Sequence, residues 1–182
     1  MINALGMVET NSIPKGIEAG DAMLKAAQVE LLFAQTACAG KYIVIISGDV
    51  AAVKASVETG VACAEDAMVD SMIIPHVDPQ VMKAISACTP PPEIKSLGII
   101  ETFSLASAIL CADQAVKTAD ITLIEIRLGR GLGGKSFVTL SGDVSAVNHA
   151  VTAANNFEET KGMMARSVVI PSPHPDMVNA VY

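Results

Sequence analysis

A chain that contains the same motif twice must fold into something that contains the same unit twice, and this chain repeats nearly end to end. Leu5-Gly6-Met7-Val8-Glu9-Thr10 returns as Leu97-Gly98-Ile99-Ile100-Glu101-Thr102, an offset of 92 residues. Ser47-Gly48-Asp49-Val50 returns as Ser141-Gly142-Asp143-Val144, offset 94, and Ser71-Met72-Ile73-Ile74-Pro75 as Ser167-Val168-Val169-Ile170-Pro171, offset 96. Three blocks in one order, with an offset that grows by two at each step, describe a tandem duplication with two short loop insertions. The first module is expected over 1–88 and the second over 96–182, joined over 89–95 by the proline-rich linker that follows Cys88. Consecutive prolines make that linker stiff and extended.

Each copy reads alike. Residues 4–10 form a strand. Ser12 is placed to cap a helix that has Pro14 in its first turn, where a missing N–H costs nothing. Ile13, Ile17, Gly20, Leu24 and Ala27 recur at helical spacing, and Leu105, Ile109, Ala112, Val116 and Ala119 repeat the pattern. Strands at 29–36 and 41–47 follow. Asp49 is placed to cap a second helix with its apolar side on Val50, Val53, Val57, Val61 and Ala64. A strand over 69–75 and a short helix from Asp78-Pro79 close the module. The order β-α-β-β-α-β plus a short C-terminal helix is the ferredoxin-like α/β (α+β) arrangement, twice over. The fold supports many functions and decides none.

Of the 182 residues, 51% are hydrophobic and only 17% charged, against about 25% in an average domain. Two small modules have little interior each, so this surplus points to burial between subunits. The net charge of −7 and scattered basic residues argue against nucleic acid. No apolar run approaches the roughly 20 residues of a membrane span, and no basic, apolar leader opens the chain. The expectation is a cytoplasmic protein with no membrane partner and reduced thiols.

Gly129-Arg130-Gly131-Leu132-Gly133-Gly134-Lys135-Ser136 satisfies the G-x-x-x-x-G-K-[ST] phosphate-loop pattern. A phosphate loop needs a helix starting at that lysine. Here Lys135 aligns with Lys41 at the head of a strand, so the run reads as a glycine-rich hairpin loop. No catalytic constellation stands out. His76, His149 and His174 are isolated, no paired carboxylates appear, and no enzyme activity is expected. The repeated Glu9 and Glu101 suggest a structural or interface role.

The repeated Leu-Gly-x-[VI]-Glu-Thr start, the Ala-Gly-Asp-Ala-Met-Leu-Lys-Ala-Ala helix at 19–27, the Gly-Asp-Val-x-Ala-Val helix start and Ile-Pro-x-Pro-His at 170–174 resemble bacterial microcompartment shell proteins. Two copies in one chain resemble their tandem, trimer-forming branch. Gln35-Thr36-Ala37-Cys38-Ala39-Gly40-Lys41 is similar to the loop of the iron–sulfur branch found in propanediol-utilising compartments. The resemblance implies a homotrimer forming a pseudo-hexameric tile, with the loop Ala37, Cys38, Ala39 and Gly40 facing a central pore. It implies edge-to-edge contacts with other shell proteins through Lys25 and Lys117, residues that by themselves read as a solvated helix face. It further implies one [4Fe–4S] cluster per trimer, shared through Cys38 from each chain, for electron transfer toward encapsulated redox enzymes or for cluster delivery. Backbone N–H groups of Ala39 and Gly40 would then stabilise the anionic cluster. The first copy ends Pro75-His76-Val77-Asp78-Pro79, and Ser172 stands where the family often has arginine, which puts some edge contacts in question.

Other readings remain open on the residues alone. They are a tile with a plain metabolite pore, a zinc ion on three cysteines, and a ferredoxin-like trimeric regulatory protein that binds a small molecule. Cys63 and Cys111 on helices and Cys88 before the linker read as packing residues rather than ligands.

Overall fold

The computed structural model describes residues 4–91, 93–129 and 131–181. Pro92 of the linker, Arg130 of the glycine-rich run and the chain ends at 1–3 and 182 lie outside the described residues.

The first copy contains β1 (Ala4–Thr10), α1 (Ile13–Ala26), β2 (Glu30–Ala37), β3 (Lys41–Gly48), α2 (Val50–Ala64) and β4 (Met68–Pro75). A short helix, α3 (Pro79–Ser86), follows. The second copy contains β5 (Ser96–Thr102), α4 (Leu105–Thr118), β6 (Ile121–Leu128), β7 (Ser136–Gly142), α5 (Val144–Asn155), β8 (Met164–Pro171) and α6 (Pro175–Val181). The strands form two antiparallel four-stranded sheets, ordered β2-β3-β1-β4 and β6-β7-β5-β8. The duplication extends to irregularities. The register slips between Glu9 and Thr10 and again between Glu101 and Thr102. A left-handed residue follows β4 and β8 alike, His76 with φ 58° and Ser172 with φ 47°.

The core of the first sheet shows why the sequence pattern works. Ala4, Val8, Val44 and Ile46 point to one face and meet Met23 of α1 and Val53 and Val57 of α2. Small residues let α1 lie close to the strands, since a Cβ at Gly16 would stand 2.5 Å from Cβ of Tyr42. Ser12 and Asp49 sit at the N-cap positions of α1 and α2 but make no side-chain cap hydrogen bond. Asp78 does cap α3, accepting the N–H of Gln80.

By contact the chain divides into two compact units. One holds the residues up to Val77 with Ser104–Ala106 and Gly129–Gly134, and the other holds the remainder. Helix α3, which follows the first copy in sequence, therefore belongs with the second unit, where it packs on β6. Its Gln80 side chain donates to the Ile121 carbonyl and accepts the Leu123 N–H. Thr89 of the linker donates its N–H to Ile124 of the same strand.

The helices at matching positions differ in one respect. Leu105 and Ile109 are fully buried, whereas Ile13, Ile17 and Leu24 are exposed, Ile17 by 54%. Full burial of such a side chain stabilises by about 1.5–3 kcal/mol, and the first copy forgoes part of that at three positions.

Candidate functional site

Cys38 opens the turn between β2 and β3 and is half-buried. Ala37 closes β2 and is buried, so it is a strand residue and the loop proper is Cys38, Ala39 and Gly40, the last two exposed. Gly40 takes φ +76°, which lets the turn reverse within three residues.

Against this turn lies the glycine-rich loop from Gly129 to Gly134. The Cys38 N–H donates to the Gly129 carbonyl at 2.8 Å, and the Gly131 N–H donates to Cys38 Sγ at 3.0 Å. Gly129, Gly131, Gly133 and Gly134 all have positive φ, a backbone that side chains resist and glycine accepts. The sequence expectation assigns the Ala39 and Gly40 amides to an anionic cluster; the structure adds an amide it did not name, that of Gly131, which donates to the Cys38 sulfur. Nothing near Cys38 in sequence signals this, because a backbone N–H carries no residue-type signature.

Below the loop sits a buried ion pair. Lys41 Nζ lies 2.6 Å from Glu9 Oε1 and donates to the Gly134 carbonyl at 2.9 Å, so one ammonium ties β1 and β3 to the loop. The second oxygen of Glu9 accepts the N–H groups of Leu105 and Ala106 at 2.8 and 3.3 Å. A carboxylate suits the positive end of a helix, here the start of α4. Burial pushes the Glu9 carboxyl above its ordinary value, and Lys41 with the two amides pulls in the opposite sense. The matching pair in the second copy is Lys135 and Glu101, 3.2 Å apart and partly exposed. Lys135 precedes strand β7 rather than a helix, so the phosphate-loop geometry is absent there.

Among the described residues no three His, Cys, Asp or Glu side chains converge as a metal site. One chain offers one thiol at the loop. That thiol is accessible, receives an N–H and is flanked by residues too small to crowd a bulky inorganic group. A cluster liganded by one Cys38 from each of several copies fits this donor set, and a cluster held by one chain does not. Of the other cysteines, Cys111 fits the expected packing role and the exposed Cys88 does not. Cys111 is buried beside Met164, with its thiol pushed up to about 11 by burial. Cys63 lies half-buried on α2, and Cys88, before the linker, is exposed.

Lys25 and Lys117 occupy the last turns of α1 and α4. Lys25 is well exposed and pairs with Asp21; Lys117 is less exposed and pairs with the nearly buried Asp113.

These two sheets with their helices are the unit that comparison with known proteins identifies. Residues 4–77 and 96–173 each match the BMC domain. The chain belongs to the BMC-domain family. It is 44% identical to the bacterial microcompartment shell protein PduT of Citrobacter freundii, over 97% of this chain and 96% of that one. It is 29% identical to the carboxysome assembly protein CcmO of Synechococcus elongatus, over 98% of this chain and 68% of that protein. A solved structure, a microcompartment protein from Desulfitobacterium hafniense DCB, superposes with a TM-score of 0.86 at 55% identity and covers 98% of this chain and 99% of that one. With two BMC domains, the chain is a structural protein of the microcompartment shell and not an enzyme. No helix among the described residues is long and apolar enough to cross a membrane.

Proposed function

We propose that three copies of this chain close into a pseudo-hexameric shell tile, and that the three Cys38 thiolates meet at its central pore and hold one [4Fe–4S] cluster. The observation that carries the reading is the Gly131 N–H aimed at Cys38 Sγ at 3.0 Å, in a turn whose other loop residues are Ala39 and Gly40. Amide hydrogens directed at a thiolate offset the negative charge of an iron–sulfur assembly. Such a cluster, when bound, supplies one-electron transfer. The chain's own contribution is to present the sulfur, donate the amide hydrogen and hold the glycine-rich loop through Lys41. Three protein thiolates leave one iron open to a small ligand, which suits a site that faces a pore. Electron passage across the shell, toward redox enzymes inside, is the function this geometry favours. Lys25, exposed on the last turn of α1, is assigned to contacts with neighbouring tiles.

Anaerobic purification tests the reading. The wild-type protein should be brown and trimeric, and Cys38→Ser colourless and still trimeric. Reversible bleaching by a one-electron reductant, with no loss of iron, supports electron passage. Transfer of iron to an apo acceptor would make cluster delivery the function instead. A colourless wild-type protein after anaerobic reconstitution would leave a tile with a plain pore.

A further inference from the structure

Glu9, Asp70 and Lys41 lie in one compact unit with the start of α4 and the glycine-rich loop, and they divide unevenly between the two. Glu9 is fully buried, and the Lys41 side chain is only 13% exposed. Glu9 Oε2 accepts the N–H groups of Leu105 and Ala106, the first residues of α4. Asp70 stands opposite Glu9 on β4, and its carboxylate accepts the hydroxyl of Ser104, the residue just before that helix. Both carboxylates are therefore tied to the positive end of α4, which offsets part of their charge. Lys41 reaches past Glu9 to the loop, where its Nζ donates to the Gly134 carbonyl at 2.9 Å.

Gly134 lies between that ammonium and the cysteine turn. A Cβ built on it would stand 3.5 Å from the Cys38 carbonyl oxygen, 3.6 Å from Lys41 Cε and 3.8 Å from the Ala39 nitrogen. The stem of the lysine and the backbone that carries the sulfur thus flank the same glycine. The same loop carries Gly131, whose N–H donates to Cys38 Sγ. A cation so nearly removed from water is weakly screened, by solvent and by salt alike.

We infer that Lys41 sets the reduction potential of the cluster held by Cys38, through a positive charge fixed beside the turn and through its hold on the loop that carries Gly131. The inference rests on the cluster reading above and adds to it the group that regulates the site. One-electron reduction adds one negative charge and makes or breaks no covalent bond. A fixed cation favours the reduced form, and so does an N–H directed at the sulfur. Glu9 holds the ammonium in place and weakens its field, and the bonds from Glu9 to α4 limit that weakening. Three chains bring three such lysines to one site. The tile accordingly accepts electrons from donors too weak to reduce the same thiolates without them.

A dithionite titration of the anaerobically reconstituted trimer, followed by EPR at neutral pH, tests the assignment. Lys41→Met combined with Glu9→Gln removes both charges and leaves neither one unpaired. It is expected to lower the equilibrium constant for reduction at least tenfold, a fall of about 59 mV for one electron. Glu9→Gln alone keeps the ammonium and removes its counter-charge, so its potential should rise above that of wild type. A Glu9→Gln potential at or below wild type is what a pair that merely held the loop would give, and it would overturn the assignment. So would a doubly substituted protein that titrates with wild type. Either result leaves the cluster reading intact, whereas a wild-type trimer that takes up no cluster would overturn both.

Discussion

The amide hydrogen of Gly131 points at the sulfur of Cys38 from 3.0 Å, although 93 positions of sequence separate them. Two further bonds fix the loop that carries it, Cys38 N–H to Gly129 O and Lys41 Nζ to Gly134 O. The thiol is therefore presented by one repeat and furnished with its hydrogen bond by an insertion in the other.

Replacing Gly131 tests the value of that bond. Its φ is +73° with open space around it, so an alanine meets no neighbour but strains the backbone by about 1 kcal/mol. The loop should loosen and the hydrogen bond to sulfur weaken. After anaerobic iron–sulfur reconstitution, Gly131→Ala is expected to lose iron to a chelator about tenfold faster than wild type, a size typical of lost outer hydrogen bonds at metal sites. Equal rates would mean that the amide contributes nothing.

Glu9 gives a prediction about stability. Glu9→Ala strands a largely buried ammonium and two amides, and should cost about 3–5 kcal/mol in denaturant unfolding. Glu9→Gln keeps an acceptor for the amides and should cost less. Burial holds the Glu9 carboxyl above its ordinary value of 4.5, so just above that pH the folded state retains a proton that the unfolded chain releases. Stability from this group is thus full below pH 4.5 and is lost as pH rises through the folded value. The stability of wild type relative to Glu9→Gln should accordingly fall as pH is raised through that window. A relative stability that rises with pH would contradict the assignment.

Two glycines distinguish rigid from yielding contacts. A Cβ on Gly16 would stand 2.5 Å from Tyr42 Cβ and 2.6 Å from Thr10 Oγ1, atoms fixed close to the backbone. A Cβ on Gly60 would meet Met23 Cγ at 2.5 Å, part of a side chain that can rotate away. Gly16→Ala should destabilise by about 1–3 kcal/mol. Gly60→Ala should cost less, because Met23 can move aside, while the gain of up to about 1 kcal/mol for alanine in a helix applies to both positions. Thermal unfolding of the two variants gives the order, and a reversed order would contradict this account of the helix–sheet packing.

Much of the fold was legible because the chain spells it twice. Strand positions and helix starts follow from local chemistry, and the repeat supports them in a second setting, but the caps expected at Ser12 and Asp49 make no side-chain hydrogen bond. The apolar spacing of Ile13, Ile17 and Leu24 was equally plain, yet these side chains are exposed while Leu105 and Ile109 are buried. Periodicity shows which side of a helix is apolar and carries no information about what covers it. The ion pair of Glu9 and Lys41 spans 32 positions, and the paired recurrence of Glu101 and Lys135 was its one trace in sequence. The bond from Gly131 left no trace, since the donor is backbone and the glycine run resembled a phosphate loop.

Native mass spectrometry of anaerobically prepared protein tests the central claim most directly. The account predicts one species of three chains carrying a single four-iron, four-sulfide cluster, and a cluster-free species of three chains for Cys38→Ser. A cluster on an isolated chain, or iron retained by the Cys38→Ser trimer, would contradict it.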